Sequence, residues 1–443
     1  MQVTSVSFLL CFFPCFLAVY YFSPRYFRNT ILCIGSLLFY FLACGGSWWK
    51  LGVLVLLTLL TFWAGQQLRR PNSGWALGVF LAVLAGVLIF FKCFDGGKWL
   101  PGGMSFYLFQ MSAYLIDVFR RRFSPERSLI DYSTQILMFP KLLSGPLVQP
   151  KELYDQTHTP NFSPKRIHRG LQEVVLGLFL KVMIANRLGG LWAQAGVIGY
   201  ESISTPFAWM ALIAYSLRLY FDFYGYSLIA VGLGRMLGYE LPMNFRDPYC
   251  AKSVSEFYRR WHITLGAWFR ENIYIPLGGN RCGTVRTIFN LAVVWLLTGL
   301  WHGIGGNYLL WAGIILFCVI LERLFLRDFL KRSRIISHVY TVFAILMSWL
   351  PFAIGDWNQL KIYAMKLFGM GGTAVNPSDY LTWGRQYIWL LLTGILFCMP
   401  IPGKIWENIR KRPFADLLIF VLFWVVVYFI STSAQDPFLY FQY

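Results

Sequence analysis

The chain has 443 residues, of which 57% are hydrophobic and only 13% charged, and its formal net charge is +19. Soluble globular chains carry about one-quarter charged residues, so this composition excludes an ordinary soluble domain. The Lys and Arg sit in turns between apolar runs, which points to membrane topology and anionic head groups and away from nucleic acid.

A membrane span needs about 20 mostly apolar residues, and on that measure the chain predicts about twelve spans. In order they are 3–22, 30–43, 51–65, 75–91, 104–118, 171–185, 206–223, 287–300, 308–321, 336–354, 383–399 and 415–430. The shorter runs imply tilt or local thinning of the bilayer. Residues 3–22 lack a basic leader and a small-residue cleavage site, so this run is expected to be a retained span. Two stretches differ from simple spans. Residues 129–150 are apolar but contain Pro140, Gly145, Pro146 and Pro150. They predict a re-entrant or interfacial element enclosed by protein, which must satisfy the freed backbone groups. Residues 239–279 are rich in charge and Trp, and 253–272 place Val254, Phe257, Tyr258, Trp261, Leu265, Trp268 and Phe269 near helical spacing. That pattern predicts an interfacial amphipathic helix on the cytoplasmic side. The nine cysteines form no CxxC pair and no metal spacing, and read as small buried hydrophobes. No internal repeat or separate soluble domain is visible, so 1–443 reads as one membrane domain.

The basic residues orient it. With the N-terminus outside, cytoplasmic turns hold Arg25 and Arg28, Arg69 and Arg70, Arg120–Arg122 with Arg127, the 323–334 cluster, and Lys404 with Arg410–Arg412. The outward turns hold little, among it Lys50, Lys92, Lys98, Lys361 and Lys366, and the tail 432–443 holds no Lys or Arg. This alternation predicts a multi-pass cell-membrane protein with both termini extracytoplasmic.

Five histidines are the first place to look for chemistry. His158 and His168 lie in a polar loop and read as solvated; His338 opens a span beside a basic turn. His302 ends an apolar helix before Gly303, Gly305 and Gly306. A titratable group at membrane depth faces a bundle interior or wet cavity, and imidazole transfers protons near neutral pH. His302 is therefore either a proton-transfer group or a histidine hydrogen-bonded to a neighbouring helix. His262, in Arg259-Arg260-Trp261-His262, is either structural or chemical. No third ligand at suitable spacing supports a metal. The Gly278-Gly279-Asn280 run lacks the Lys-Ser/Thr of a phosphate loop and reads as a turn. Glu322 beside Arg323 reads as a helix-end ion pair. Asp222, in an aromatic span, needs a partner, with Arg218 or Arg235 as candidates.

The run YFDFYGYSLIAVGLGRMLGYELPMNFRDPYCAKSVSEFYRRWHITLGAWFRENIYIPLGGN, followed by GLWHG, resembles the membrane-bound O-acyltransferases. The branch most similar is the membrane subunit of bacterial alginate O-acetyltransferases. LPGGMSFYLFQMSAYLIDVFRR, FPKLLSGPLVQP and GLFLKVMIANRLG match in the same order, so the resemblance covers nearly the whole chain, with its chemistry in about 220–323. It implies an all-α polytopic membrane fold, a ring of about twelve tilted helices around a thin centre, with a cytoplasmic tunnel and an outer funnel. It implies His302 of WHG as the catalytic base and His262 of RRWH as a second catalytic residue. Trp261, Arg260 and Asn244 are expected to line the donor side, and Trp301 and Asp222 to contribute to substrate binding. The implied donor is acyl-coenzyme A, acetyl-coenzyme A above all, or an acyl-carrier protein, with no tightly bound cofactor and no metal. Beside the bilayer, the implied partners are an extracytoplasmic polysaccharide or an outer acetyltransferase protein, and no nucleic acid. Leu228 after Gly-Tyr-Ser, Ile315-Leu316 in place of a second His-Gly, and Leu350-Pro351-Phe352-Ala353 depart from the branch's pattern. These departures bear on acceptor and partner and leave both histidines in place. The competing readings are D-alanyl transfer to teichoic acid from a carrier protein and, in another class, a membrane transporter. A transporter expects charge spread through several spans, and here intramembrane charge is sparse.

Overall fold

The computed structural model describes residues 1–70 and 72–432. It is 77% helix, with no strand among the described residues. The expectation for the tail beyond residue 432 lies outside them.

All twelve apolar runs lie in helices. Among the described residues, eight helices are long and apolar enough to cross a membrane. They are Arg25–Ala43, Trp48–Gln67, Gly74–Cys93, Pro164–Ile198, Gly283–His302, Gly306–Arg332, Arg334–Ala353 and Pro413–Thr432. A ninth is the broken pair Asp379–Phe397 and Pro400–Ile409, bent by 74°. The remaining three runs differ in length or surroundings. Phe8–Phe22 is a shorter apolar helix. Met104–Phe119 has 16 residues and buries all but Phe109 and Phe119. Thr205–Met236 runs for 32 residues, carries Arg218, Asp222 and Arg235, and is mostly buried. Apolar composition alone does not separate a helix that meets lipid from one enclosed by other helices, which explains why these runs read alike.

The lipid-facing helices show their role by exposure. Gly74–Cys93 leaves Trp75, Val79, Ile89 and Phe90 uncovered, and Pro413–Thr432 leaves Leu417, Phe420 and Tyr428 uncovered. At about 25 cal/mol per Å² such surface is untenable in water and neutral in acyl chains. Cys11, Cys15 and Cys93 are exposed on apolar helices, and only Cys318 and Cys398 are buried. The reading of the cysteines as buried hydrophobes therefore holds for two; Cys33, Cys44 and Cys250 are half-buried, and Cys282 is exposed in a turn.

The chain divides into two compact units. The first comprises Met1–Leu178, Tyr226–Met243 and the described residues from Val425. Within it, residues 129–150 form helices Leu129–Leu137 and Phe139–Leu142, and 132–148 are buried. Ser128 caps the first by accepting from the Asp131 N–H at 3.2 Å. The Pro- and Gly-rich stretch leaves backbone groups unpaired, and neighbouring helices supply the partners. Gln110 donates to the Val148 carbonyl at 2.8 Å and accepts from its N–H at 3.2 Å, while the Phe139 N–H donates to Ser36 Oγ at 3.0 Å. Phe139 packs against Phe16, Phe39 and Phe8 at ring separations of 5.3, 5.5 and 6.1 Å. Gly103 precedes Met104 at φ +72°, where a Cβ would lie 2.5 Å from the Leu142 carbonyl oxygen.

The second unit comprises Phe179–Gly225 and Asn244–Trp424. It holds every candidate site residue. Gly299 lets helix Gly283–His302 approach the next one: a Cβ there would sit 3.1 Å from both Ala312 Cβ and the Tyr308 carbonyl oxygen.

Candidate active site

The predicted single helix over 253–272 is broken in two. Val254–Arg260 and Ile263–Phe269 are separated at Trp261–His262, where His262 adopts φ +47°. A non-glycine residue in this left-handed region costs on the order of 1 kcal/mol and persists only where surroundings impose it. Two backbone bonds impose it. The Arg246 N–H donates to the Arg260 carbonyl at 3.0 Å, and the Ile263 N–H donates to the Asn244 carbonyl at 2.9 Å. Helix Val254–Arg260 begins on Ser253, whose Oγ accepts from the Glu256 N–H at 3.0 Å. Glu322 completes this cap. Its carboxylate accepts from the N–H groups of Val254 and Ser255, and from Ser255 Oγ at 2.7 Å. The expected pairing of Glu322 with Arg323 is thereby corrected: a carboxylate facing three donors at a helix start is better satisfied there.

These contacts define the state of His262. Asn244 Oδ1 accepts from Thr264 Oγ1 at 2.6 Å and from the Thr264 N–H at 3.3 Å, which fixes the amide's orientation. His262 Nδ1 lies 3.3 Å from the same oxygen and therefore carries its proton, leaving the lone pair on Nε2. Burial pushes the imidazole's pKa down to about 3, so His262 is neutral near pH 7. Phe223 packs edge-on to it at 4.6 Å.

His302 is the last residue of helix Gly283–His302 and is 6% exposed. Trp311 at 4.9 Å and Phe352 at 5.0 Å meet its ring edge-to-face, and Tyr308 lies roughly parallel at 6.3 Å. Gly303 admits Tyr308, whose ring a Cβ would meet at 2.4 Å. Trp301 lies between the histidines, 6.2 Å from His262 and 4.3 Å from His302. The structure thus brings His262, Asn244, Trp301 and His302 into one cluster.

The other candidates fall around or away from it. Trp261 is buried among Tyr220, Phe245, Phe257 and Trp349. Arg260 pairs with Glu256 and donates to the Asp247 carbonyl at 3.4 Å. Asp222 pairs with Lys181, both buried. Lys181 is a partner the sequence did not offer, and of the two candidates Arg235 pairs instead with Glu173 and, at 2.9 Å, with Glu240. The remaining histidines have local partners. His158 lies 3.4 Å from Glu126, so it is not simply solvated, and His338 Nδ1 donates to the Ala251 carbonyl at 3.3 Å. Glu126, Asp131 and His158 bring potential metal ligands within 4.8 Å of one another. Backbone N–H groups, Gln135 and Asn29 already donate to these carboxylates.

Beside the cluster lies a cavity of about 1200 Å³. Lys252, Arg259, Arg323, Arg327, Lys331 and Arg334 line it, against Glu256 and Glu322. Arg259, not Arg260, faces this space. Tyr258 and Trp295 also line it and touch each other at 4.8 Å. Trp295 lies 5.9 Å from Trp311, and Trp311 contacts His302. One aromatic ring therefore separates the cavity wall from the His302 imidazole. Thr264, Trp295 and Trp311 escaped the reading of the sequence, because a Trp in an apolar helix reads as a membrane anchor.

A chain so built, with several membrane-length helices and His262 and His302 buried among them, is a multi-pass membrane protein. Residues 104–355 match the sequence profile of the membrane-bound O-acyltransferase family, more than half of the chain. The chain belongs to that family and is an O-acyltransferase. It is 31% identical to the probable alginate O-acetylase AlgI of Pseudomonas putida, over 100% of both chains. It is 27% identical to the peptidoglycan O-acetyltransferase of Helicobacter pylori, over 98% of this chain and 96% of that one. It is 25% identical to a teichoic acid D-alanyltransferase of Streptococcus thermophilus, over 62% of this chain and 72% of that one.

Proposed function

We propose that this enzyme moves an acetyl group from a cytoplasmic thioester donor to hydroxyls of an extracytoplasmic polysaccharide, with His302 as general base. One observation carries the reading: His302 is buried at the end of a membrane-length helix, one aromatic ring from a cationic cavity. The cavity's Arg and Lys suit the phosphates of acetyl-coenzyme A or of a carrier protein's prosthetic arm. The thioester would then reach past Tyr258 and Trp295 toward His302.

In the transfer, a His302 nitrogen takes the acceptor hydroxyl's proton as the oxygen attacks the thioester carbonyl carbon. The tetrahedral intermediate collapses, the C–S bond breaks, and the thiolate leaves with the proton returned by the imidazolium. An ester and a free thiol result, with no redox change. His262, neutral and with its lone pair on Nε2, serves as a hydrogen-bond acceptor that orients the acceptor hydroxyl. Asn244 and Thr264 hold it in that tautomer. Trp301 spaces the two imidazoles.

The enzyme is proposed to sit in the cell membrane with an extracytoplasmic N-terminus and its basic turns inside, which puts the cavity's Arg and Lys on the donor side. The O-acetylases among its relatives favour acetyl transfer to a polysaccharide, directly or through an outer acetyltransferase protein. The D-alanyltransferase relative keeps one second reading open, D-alanyl transfer to teichoic acid from a carrier protein. Purified enzyme in lipid nanodiscs, given labelled acetyl-coenzyme A or acetylated carrier protein, is expected to release free thiol and label the acceptor. His302→Ala should abolish both while keeping the wild-type melting profile. Full activity in that variant would remove His302 from its role.

A further inference from the structure

Trp311 presents a buried polar group that nothing among the described residues satisfies. It is 3% exposed, and its indole Nε1–H has no hydrogen-bond partner among them. Such buried orphans are rare, and leaving a donor unmet costs about 1–3 kcal/mol. Within a membrane domain that cost is hard to relieve with bulk water. A donor kept this way is explained when a substrate atom completes it.

Its position says which atom. Trp311 is the ring that contacts both His302, at 4.9 Å edge-to-face, and the cavity-wall residue Trp295, at 5.9 Å. Trp349 is stacked on Trp311 at 6.2 Å. It contacts Trp261 and Phe352 rather than the His302 ring, so it stands one layer further back. Trp311 is thus the ring that joins the cavity wall at Trp295 to the His302 imidazole. The cavity's cations line its wall with Tyr258 and Trp295, so they are placed for phosphates and not for the carbonyl. When the acceptor oxygen attacks, the carbonyl oxygen takes up negative charge, and that charge needs a donor beside the base.

We propose that the Trp311 indole N–H is the donor to the thioester carbonyl oxygen, polarising it in the bound donor and stabilising the oxyanion of the tetrahedral intermediate. The N–H stays intact throughout. The oxygen's charge returns to the carbonyl as the C–S bond breaks, and the proton that travels is the one His302 carries. The inference rests on the reading of this site as a thioester-dependent transferase. Removing a single oxyanion donor lowers kcat by about 10²–10³-fold, and the effect falls on kcat because the bond strengthens in the transition state.

Two measurements test it. In the first, Trp311→Phe keeps an aromatic ring and removes the N–H. Its kcat should fall about 100-fold with donor KM changed less than about 3-fold, and Trp311→His, which restores a ring N–H, should recover part of the loss. Should Trp311→Phe fail to fold, 3-benzothienylalanine at the position replaces the N–H by sulfur in the same shape. In the second, the coenzyme A thioether bearing an acetonyl ketone is compared with the S-propyl thioether, which lacks the carbonyl. Wild type should bind the ketone more tightly, and Trp311→Phe should bind the two alike. Wild-type kcat in the N–H-free variants, or equal binding of both analogues by wild type, overturns the proposal. Wild-type enzyme that transfers acetyl normally beside such a result keeps the transferase reading while the indole's role falls. If wild type transfers from neither coenzyme A nor carrier thioesters, the reading and this inference fall together.

Discussion

Asp222→Asn tests whether Asp222 is a substrate ligand or the partner of a buried cation. Asp222 and Lys181 form an ion pair with side chains 2% and 4% exposed. Removing one member leaves the other charge in a low-dielectric interior, which costs about 3–5 kcal/mol. Replacing both with apolar residues of similar size removes the desolvation penalty together with the attraction and is often neutral. At about 2–4 °C per kcal/mol, Asp222→Asn should lower the melting midpoint by on the order of 10 °C. Lys181→Met added to Asp222→Asn should recover part of the loss, because the stranded ammonium is removed. The assay is fluorescence-detected size exclusion after heating at a fixed rate, because unfolding of such a protein is irreversible and the midpoint depends on the scan. Acetyl transfer is measured on the same samples at a temperature below all midpoints. Asp222→Asn that melts like wild type yet loses transfer would refute the structural account and return Asp222 to the substrate.

His262 makes a prediction in pH. Its folded pKa is about 3, against about 6.5 when exposed, so the unfolded chain binds more protons between those values. The stabilising share of this group is therefore complete above pH 6.5 and is lost as pH falls toward 3. His262→Gln should show a flatter fall of melting midpoint between pH 7 and 4 than wild type; parallel curves would contradict a neutral buried imidazole. Glu322 makes a prediction in the donor's affinity. Glu322→Gln keeps the shape and removes the charge that caps helix Val254–Arg260, at a cost of about 1 kcal/mol. Because Tyr258 and Arg259 ride on that helix and line the cavity, donor KM should rise about 3–10-fold with kcat nearly unchanged, and a kcat loss without a KM change would contradict it.

The sequence made the helices legible because a run of about 20 apolar residues has few other uses. It also pointed to residues 129–150 as protein-enclosed, since prolines free backbone groups that lipid cannot satisfy. What stayed hidden depends on long-range pairing. The break at His262 follows from bonds between Asn244 and Ile263 and between Arg246 and Arg260, and 253–272 taken alone has unbroken helical spacing. Asp222 found Lys181, 41 positions earlier, and Arg235, which looked nearer at hand, pairs with Glu173 and Glu240. Glu322 found a helix start near residue 254 in preference to its neighbour Arg323. The motifs put forward His302 and His262 and said nothing of Trp311, whose proposed role rests on an N–H unmet among the described residues and on what its ring touches.

The two imidazoles sit in different surroundings, and the proposed division of work follows from them. His262 is fixed by a chain of directed bonds from Thr264 through Asn244 to Nδ1, and by a strained backbone that those bonds hold in place. A group so constrained has one tautomer and one orientation, which suits placing a hydroxyl. It is a poor proton carrier, because charging it in its buried pocket is strongly disfavoured. His302 sits at a helix end against ring edges and faces, beside glycines that admit Tyr308. Aromatic faces carry negative charge density and tolerate a transient imidazolium better than an aliphatic wall would. A base must accept a proton and release it within one turnover, and an aromatic box suits the charged state. Trp311, edge-to-face with that ring, belongs to the same box, so the imidazolium and the oxyanion would form within one aromatic layer, each offsetting the charge of the other.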